Sequence, residues 1–205
     1  PLDHFRFEMK HYGITTIAEF IEFKDTLLSN PNPFRQFRIA GLVSDAQHRT
    51  TRNGKQFGVF SLEDYSGKTE LALFGEDYVR FKDHFSLGNV LFATGNFKAR
   101  WNSTTDFEFK LSSVMLLETV KKLLTRQVEA ELHPKVLTEE TVAFIDNNVK
   151  SFPGKSGIKF VLSEPRLGWK VSMYTLEKGF EMNDEMAAFL ETNPDIEVKV
   201  TTLEK

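Results

Sequence analysis

The hydrophobic period of this chain changes abruptly at Arg35, and the change limits the folds open to it. The preceding segment Asn30-Pro31-Asn32-Pro33 excludes a helix, because proline lacks a backbone donor and its ring clashes with the previous helical turn. Beyond it, Phe37, Ile39 and Val43 alternate with polar or small residues. A period of two indicates a half-buried β-strand, so a sheet is predicted to begin here.

Two turn motifs divide this β-rich region into strands. Asn53-Gly54 predicts a hairpin closed by a type I′ turn, because both residues tolerate the positive φ that this turn requires. Tyr65-Ser66-Gly67 predicts a second tight turn. Strands over Gln56–Asp64 and Thr69–Phe74 would then form an antiparallel meander with the first strand.

A short helix and two more strands complete the pattern. Apolar residues at helical spacing predict a helix over residues 76–85, and strands are predicted over Val90–Ala99 and Phe107–Leu116. Three strands, a helix and two strands form the layout of the five-stranded OB barrel. We therefore predict that residues 35–117 form an OB-fold domain that binds single-stranded nucleic acid.

The flanking segments have different patterns. Residues 1–34 are predicted to be a helical arm and a linker. From residue 118 the predicted elements follow the order β, α, β, β, α, β. This order predicts that residues 118–205 form a small α/β sandwich with helices on one sheet face, which we interpret as a protein-interaction domain. The predicted fold class is thus mixed β and α/β.

Side chains that cap helices support these assignments. Thr15 or Thr16 is predicted to cap the second helix of the arm, and Asn183 the last helix of the chain. Thr138 is predicted to cap the helix between them, and a stripe at helical spacing predicts its buried face. The stripe consists of Val142, Ile145 and Val149.

Composition and charge exclude several classes of protein. The chain has no cysteine, which excludes a disulfide scaffold, and no apolar run approaches the roughly 20 residues of a membrane span. We therefore expect a cytoplasmic location and no membrane partner. The formal net charge is −3. Of the three segments 1–34, 35–117 and 118–205, only residues 35–117 contain more lysine and arginine than aspartate and glutamate, 11 against 9. Any nucleic-acid site must then be a local patch.

No arrangement of residues in the sequence predicts catalysis. A nucleotidyl transferase needs carboxylates that hold two metal ions. The closely spaced acids lie on either side of one apolar residue, as on a solvated sheet face. They are Asp106 with Glu108, Glu129 with Glu131, and Asp195 with Glu197. With five scattered histidines and no cysteine, we predict no catalytic residue, no metal site and no cofactor in this chain.

Cations and aromatic residues on the predicted barrel favour binding of a single strand. OB barrels bind it across strands 2 and 3, framed by the loops between strands 1 and 2 and between strands 4 and 5. Cations would contact phosphates and aromatic rings would lie under bases. The candidates are Arg49, Arg52, Lys55, Phe57, Lys98, Arg100 and Trp101. Alternatively, the loop is charged because it is solvated, and the aromatic residues are ordinary partly packed side chains.

Several stretches of the sequence resemble a known family. They are Pro1-Leu2-Asp3, Ala40-Gly41-Leu42-Val43, residues 48–55, residues 60–67 and Leu71-Ala72-Leu73-Phe74. Together they closely resemble the carboxy-terminal region of the bacterial replicative DNA polymerase III alpha subunit. OB domains of class II aminoacyl-tRNA synthetases share part of these stretches, so an anticodon-binding-type module is an alternative.

The resemblance implies that the parent protein is a DNA-directed DNA polymerase with Mg²⁺ as its cofactor, and that this chain is a C-terminal part without the catalytic residues. Residues 35–117 would guide the single-stranded template. Residues 118–205 would contact the clamp loader tau subunit, and the rest of the alpha chain is a further implied partner. An alternative from another class is a protein-interaction scaffold without a DNA site.

Overall fold

The computed structural model divides the chain into two compact units. The first contains Pro1–Met9 and Gly13–Glu118, and the second contains Lys10–Tyr12 and Thr119–Lys205. No helix among the described residues combines the length and the apolar character needed to cross a membrane. The structure describes residues 2–29, 32, 34–100, 103, 105–174 and 179–203.

Five antiparallel strands form the sheet of the first unit in the order β3-β2-β1-β4-β5. Two helices precede the sheet, and a third, extended by a 3₁₀ turn, lies between β3 and β4. The predicted sequence of three strands, a helix and two strands is confirmed. The bounds are α1 Arg6–His11, α2 Ile17–Asp25, β1 Gln36–Thr50, β2 Gln56–Glu63, β3 Lys68–Phe74, α3 Gly75–Phe81, β4 Val90–Ala99 and β5 Phe107–Leu116.

The β1–β2 hairpin forms where predicted, but the predicted type I′ turn is wrong. Gly54 N donates to Thr51 O at 2.9 Å, so Arg52 and Asn53 are the central residues of the turn. Gly54 follows with a φ of 75°, and Thr51 N donates to Lys55 O at 2.8 Å. A turn followed by a left-handed glycine is the usual form of a longer hairpin loop.

The barrel core includes two phenylalanines of α2. Thr16 caps this helix in a capping box with Glu19, which confirms one of the two predicted caps. The Phe20 ring lies 5.3 Å from Phe97 and 5.5 Å from Phe37, centroid to centroid. Since Phe20 and Phe23 are both buried in the same hydrophobic cluster as the strands, α2 is part of the barrel core.

Gly95 occupies a position where the strands leave no room for a side chain. It follows an irregularity in the β4–β5 register, and a Cβ atom there would collide with the backbone carbonyl oxygen of Lys110. We expect Gly95→Ala to lower the free energy of unfolding of the first unit by about 1–3 kcal/mol, because the added methyl displaces a backbone. Urea denaturation followed by circular dichroism measures this loss.

Gly67→Ala is the matched control, because the nearest atom to its added Cβ lies 3.7 Å away, at ordinary contact distance. Its free energy of unfolding should stay within about 0.5 kcal/mol of the wild-type value. Equal stability of the two variants would contradict the close approach of β4 and β5.

The second unit contains a four-stranded mixed sheet in the order β11-β6-β8-β9. Strands β6 and β8 are parallel and the other pairs are antiparallel. The predicted βαββαβ order is confirmed, with a short extra pair formed by β7 and β10. The bounds are α4 Val120–Leu124, β6 Thr125–Leu132, α5 Glu139–Ser151, β7 Pro153–Gly154, β8 Gly157–Glu164, β9 Trp169–Tyr174, β10 Gly179–Phe180, α6 Asp184–Thr192 and β11 Ile196–Thr202.

The prediction that Val142, Ile145 and Val149 form the buried face of α5 is wrong. Thr138 does cap the helix, but Val142 is 52% exposed, and Ile145 and Val149 are only partly buried. The buried residue is Asn148, which exchanges side-chain hydrogen bonds of 3.0 and 3.1 Å with Asn183, the cap of α6. A polar side chain can be buried at low cost when its partners are present, and hydrophobic periodicity does not detect it.

Candidate nucleic-acid interface

Strand register places Arg49, Phe57 and Phe74 in one row across three strands. Arg49 pairs with Phe57 between β1 and β2, and Phe57 pairs with Phe74 between β2 and β3. Directly opposed residues of antiparallel strands point to the same face of the sheet. The rings of Phe57 and Phe74 stack, with centroids 5.2 Å apart and planes inclined by 13°. We call these two residues the aromatic platform.

The aromatic platform lies on the face of β2 and β3 opposite the core. Phe60 and Leu62 of β2 are fully buried, whereas Phe57 is partly buried and Phe74 is 43% exposed. Alternation along a strand accounts for this difference, because neighbouring side chains point to opposite faces. The structure thus leaves two stacked rings accessible to a ligand.

Packing beneath the sheet supports this row. A Cβ atom on Gly58 would collide with the Phe60 ring, so glycine allows Phe60 and Tyr78 to pack against the strand next to Phe57. The Tyr78 hydroxyl lies 2.9 Å from Nδ1 of His48, the residue that pairs with Gly58. The platform is therefore supported from the core side by a packed and hydrogen-bonded layer.

Three exposed cations lie at the end of the β1–β2 hairpin, Arg49 near the end of β1 and Arg52 and Lys55 beyond it, and we call them the loop cations. Arg49 donates to the side-chain oxygen of Gln47, and Arg52 and Lys55 lie in the turn. Among the residues that the structure describes, no acid forms an ion pair with these three cations. Their charges therefore remain available to an anionic ligand next to the platform.

The cations at the β4–β5 end are placed differently. Lys98 is exposed, but Arg100 lies 3.3 Å from Asp106 and 4.0 Å from Glu108, so acids partly neutralise it. Arg100 and Phe74 line the same crevice, of about 110 Å³, between β3 and β5. The predicted residue Trp101 lies outside the described residues.

Lys110 is another cation at this end with acidic partners. Its ammonium group lies 3.2 Å from Glu108 and 3.3 Å from Asp77. Partial burial acts to lower its pKa, but the hydrogen bonds to these two carboxylates outweigh burial and raise the pKa. Lys110 is therefore charged and already paired, and the loop cations are better placed to contact phosphate.

Sequence reasoning missed Phe74. Leu71 and Leu73 face the core, so Phe74 lies out of phase with them. The sequence did contain one indication of its role, because a large aromatic residue at an outward-facing position of the third strand is a candidate for stacking on a base. Its stacking on Phe57 depends on strand register, which the sequence pattern alone does not supply.

Both members of one closely spaced acidic pair, Glu129 and Glu131, form ion pairs on a sheet face. Glu129 contacts Lys159 at 2.9 Å, and Glu131 contacts Lys170 at 2.7 Å. Within the described part of the chain, no three histidine, aspartate or glutamate side chains are grouped to hold a metal ion. These contacts agree with the interpretation of the acids as a solvated face.

Comparison with known families matches the two units separately. Residues 37–117 match the family described as "OB-fold nucleic acid binding domain". Residues 128–201 match the family described as "DNA polymerase III alpha subunit, C-terminal domain". The predicted OB fold and the resemblance to the alpha subunit are thereby confirmed.

Two curated relatives have the name "DNA polymerase III subunit alpha". The chain is 27% identical to the Haemophilus influenzae protein over 95 residues and 25% identical to the Pasteurella multocida protein over 96 residues. Each match covers 46% of this chain and 8% of the relative. The chain thus matches only a small part of these relatives.

Two solved structures are similar to the chain at low identity. The mitochondrial single-stranded DNA binding protein Rim1 of Saccharomyces cerevisiae is 15% identical, with a TM-score of 0.31, covering 41% of this chain and 96% of that one. The second OB-fold domain of replication protein A from Methanococcus maripaludis is 16% identical, with a TM-score of 0.28, covering 42% and 87%.

Proposed function

We propose that this chain, whose two halves match an OB-fold nucleic-acid-binding domain and the C-terminal domain of the DNA polymerase III alpha subunit, is a non-catalytic part of a replicative DNA polymerase. In this proposal the parent is a Mg²⁺-dependent, DNA-directed DNA polymerase. The first unit binds the single-stranded template, and the second contacts the clamp loader tau subunit. The observation that carries the proposal is the accessible aromatic platform beside Arg49, a cation with no acidic partner among the described residues.

The aromatic platform suits unpaired bases. Each base has a flat π-face, and stacking on an aromatic side chain contributes about 1–3 kcal/mol per base without strong sequence preference. Duplex DNA offers no such face, because its bases already stack on one another. Binding to a single strand is therefore expected to be tighter than binding to duplex of the same length.

The loop cations supply the electrostatic part of binding. Arg49, Arg52 and Lys55 would contact phosphates and release their counterions. Since residues 35–117 have only two more cations than acids, no strong general field adds to these contacts. The affinity is expected to be modest and to depend strongly on salt.

The second unit fits a protein partner better than DNA. Residues 118–205 contain 15 acids and 12 lysines and arginines. The second unit itself lacks Glu118 and includes Lys10, so it contains 14 acids and 13 lysines and arginines and offers no excess of positive charge to phosphate. An acidic surface is complementary to a basic patch on a protein. This balance supports a division of roles, with DNA on the first unit and the tau subunit on the second.

Replacing two loop arginines tests the DNA site directly. We expect Arg49→Ala with Arg52→Ala to reduce the slope of log affinity against log salt by about 1.4, since each phosphate contact on a single strand contributes about 0.7. Fluorescence anisotropy with a labelled oligonucleotide at several salt concentrations measures the slope.

The control removes two exposed cations elsewhere on the same unit, by Lys68→Ala with Arg80→Ala. Its slope should match that of the wild type. An unchanged slope in the loop variant would contradict phosphate contacts there. Absence of any single-strand binding by the wild-type chain would favour the scaffold alternative.

A further inference from the structure

The second unit has an open cleft of about 720 Å³ at one end of its sheet. The end of β6, the end of β8 and the start of β11 contribute to its wall, together with the loop after α6. The parallel strands β6 and β8 both present their carboxyl ends here. In open α/β sheets this end of the strands is where ligands bind.

Two acids of like charge face each other across this wall. The β6–β11 register pairs Glu131 directly with Glu197, and both residues line the cleft. Like charges at opposed positions of a strand pair repel, so the pairing is unfavourable unless a cation lies between them. A positively charged ligand bound next to these two lining residues would reduce the repulsion between them.

Only one of the two opposed acids has a counter-ion within the unit. Lys170 lies 2.7 Å from Glu131, and its hydrogen bond lowers the Glu131 pKa, so this carboxyl is charged at neutral pH. Glu197 is exposed and forms no ion pair with any residue that the structure describes. The free negative charge of this wall is therefore concentrated on Glu197.

The other charged groups of the cleft already have partners. His11 lies 2.8 Å and Lys10 lies 3.4 Å from Glu191, and Asp195 lies 3.1 Å from Lys135. These ion pairs join segments that line the cleft and leave Glu197 as the lining acid without a counter-ion among the described residues.

Apolar side chains also line the cleft. Leu132, Leu190 and Ile196 are buried lining residues, and Pro165 and Pro194 are exposed ones. A cleft lined by both apolar and acidic side chains fits a ligand that combines apolar and cationic groups. Arginine and lysine residues next to an aliphatic residue provide this combination in a peptide.

We propose that this cleft binds a protein segment in which arginine or lysine alternates with aliphatic residues, with the cation placed at Glu131 and Glu197. The inference rests on the proposed protein-binding role of this unit and names the chemistry of the partner segment. Charge complementarity selects a basic segment, because an acidic one would add a third negative charge to the opposed pair.

The first test titrates the full chain with a blocked peptide of alternating leucine and arginine, followed by amide chemical shifts. We expect saturable shifts at residues 131, 163 and 196–198, and none with the peptide in which glutamate replaces arginine. Shifts elsewhere, or equal shifts with both peptides, would overturn the proposal.

Glu197→Lys provides a variant that separates binding from folding. The new lysine would pair with Glu131 and remove the repulsion between β6 and β11, so the sheet should be no less stable than in the wild type. Affinity for the basic peptide should nevertheless fall at least about tenfold, because the variant places a cation where the ligand's cation would lie. Glu140→Lys on α5 is the control, with the same charge change outside the cleft. Unchanged affinity in Glu197→Lys, or equal loss in both variants, would contradict the site.

A second measurement with purified tau subunit distinguishes the two proposals. If tau binds the wild type and Glu140→Lys but binds Glu197→Lys more weakly, both proposals are supported. If tau binds all three chains equally, the cleft is not its site and the inference fails while the tau contact remains. If tau does not bind the wild type but the basic peptide binds in the cleft, the tau contact is wrong and the cleft proposal stands.

Discussion

Phe20→Ala is expected to lower the free energy of unfolding of the first unit by about 3–5 kcal/mol, the cost of removing a buried phenylalanine. The side chain is 1% exposed, and its ring lies 4.9 Å from Phe109 as well as close to Phe37 and Phe97. These rings come from β1, β4 and β5, so the cavity left by alanine cannot close without moving three strands. Urea denaturation followed by circular dichroism measures the loss.

Val79→Ala is the matched control for this experiment, since Val79 is a helical apolar residue that is 69% exposed. Its free energy of unfolding should change by no more than about 0.5 kcal/mol. A loss below about 1 kcal/mol in Phe20→Ala would show that α2 does not form part of the barrel core. The comparison therefore tests whether the amino-terminal segment belongs to the folding unit of the OB barrel.

Phe57→Ala with Phe74→Ala is expected to weaken single-strand binding by about tenfold to a hundredfold, because stacking contributes about 1–3 kcal/mol per base. The slope of log affinity against log salt should not change, since neither side chain contacts phosphate. Anisotropy across a salt series measures both quantities. The two single variants should each lose much of this affinity, because each ring supports the other through the stack.

Tyr65→Ala is the control for the aromatic platform, since Tyr65 is an exposed aromatic residue in the turn between β2 and β3. This variant should bind the oligonucleotide as the wild type does. Retained affinity in the double phenylalanine variant would show that the platform is an ordinary packed pair. A changed salt slope would show that the sheet face had been disturbed.

Local pattern alone was sufficient to predict most of the elements, although not the short pair of β7 and β10. The bounds of β4 and β5 agree with the prediction at both ends. Both the period-two alternation of a strand and the turn residues that end it can be recognised from a few neighbouring residues. Thr16, Thr138 and Asn183 cap their helices for the same reason, since a cap bonds a backbone amide three residues ahead.

Contacts between distant segments were not predictable in this way. Asn53-Gly54 predicts a hairpin, but the turn type follows from which residues of β1 and β2 pair across it. Asn148 is buried because Asn183, 35 positions away, satisfies its amide. Hydrophobic periodicity placed the apolar stripe of α5 inward, because periodicity contains no information about such a partner.

The sequence by itself determined the order of the elements, the OB barrel and the candidate cations, because these depend on the backbone preference and polarity of neighbouring residues. The tertiary structure alone decided that Phe74 stacks on Phe57 and that Glu131 faces Glu197. Both contacts are set by strand register, and register results from packing and hydrogen bonding along whole strands that lie far apart in the chain.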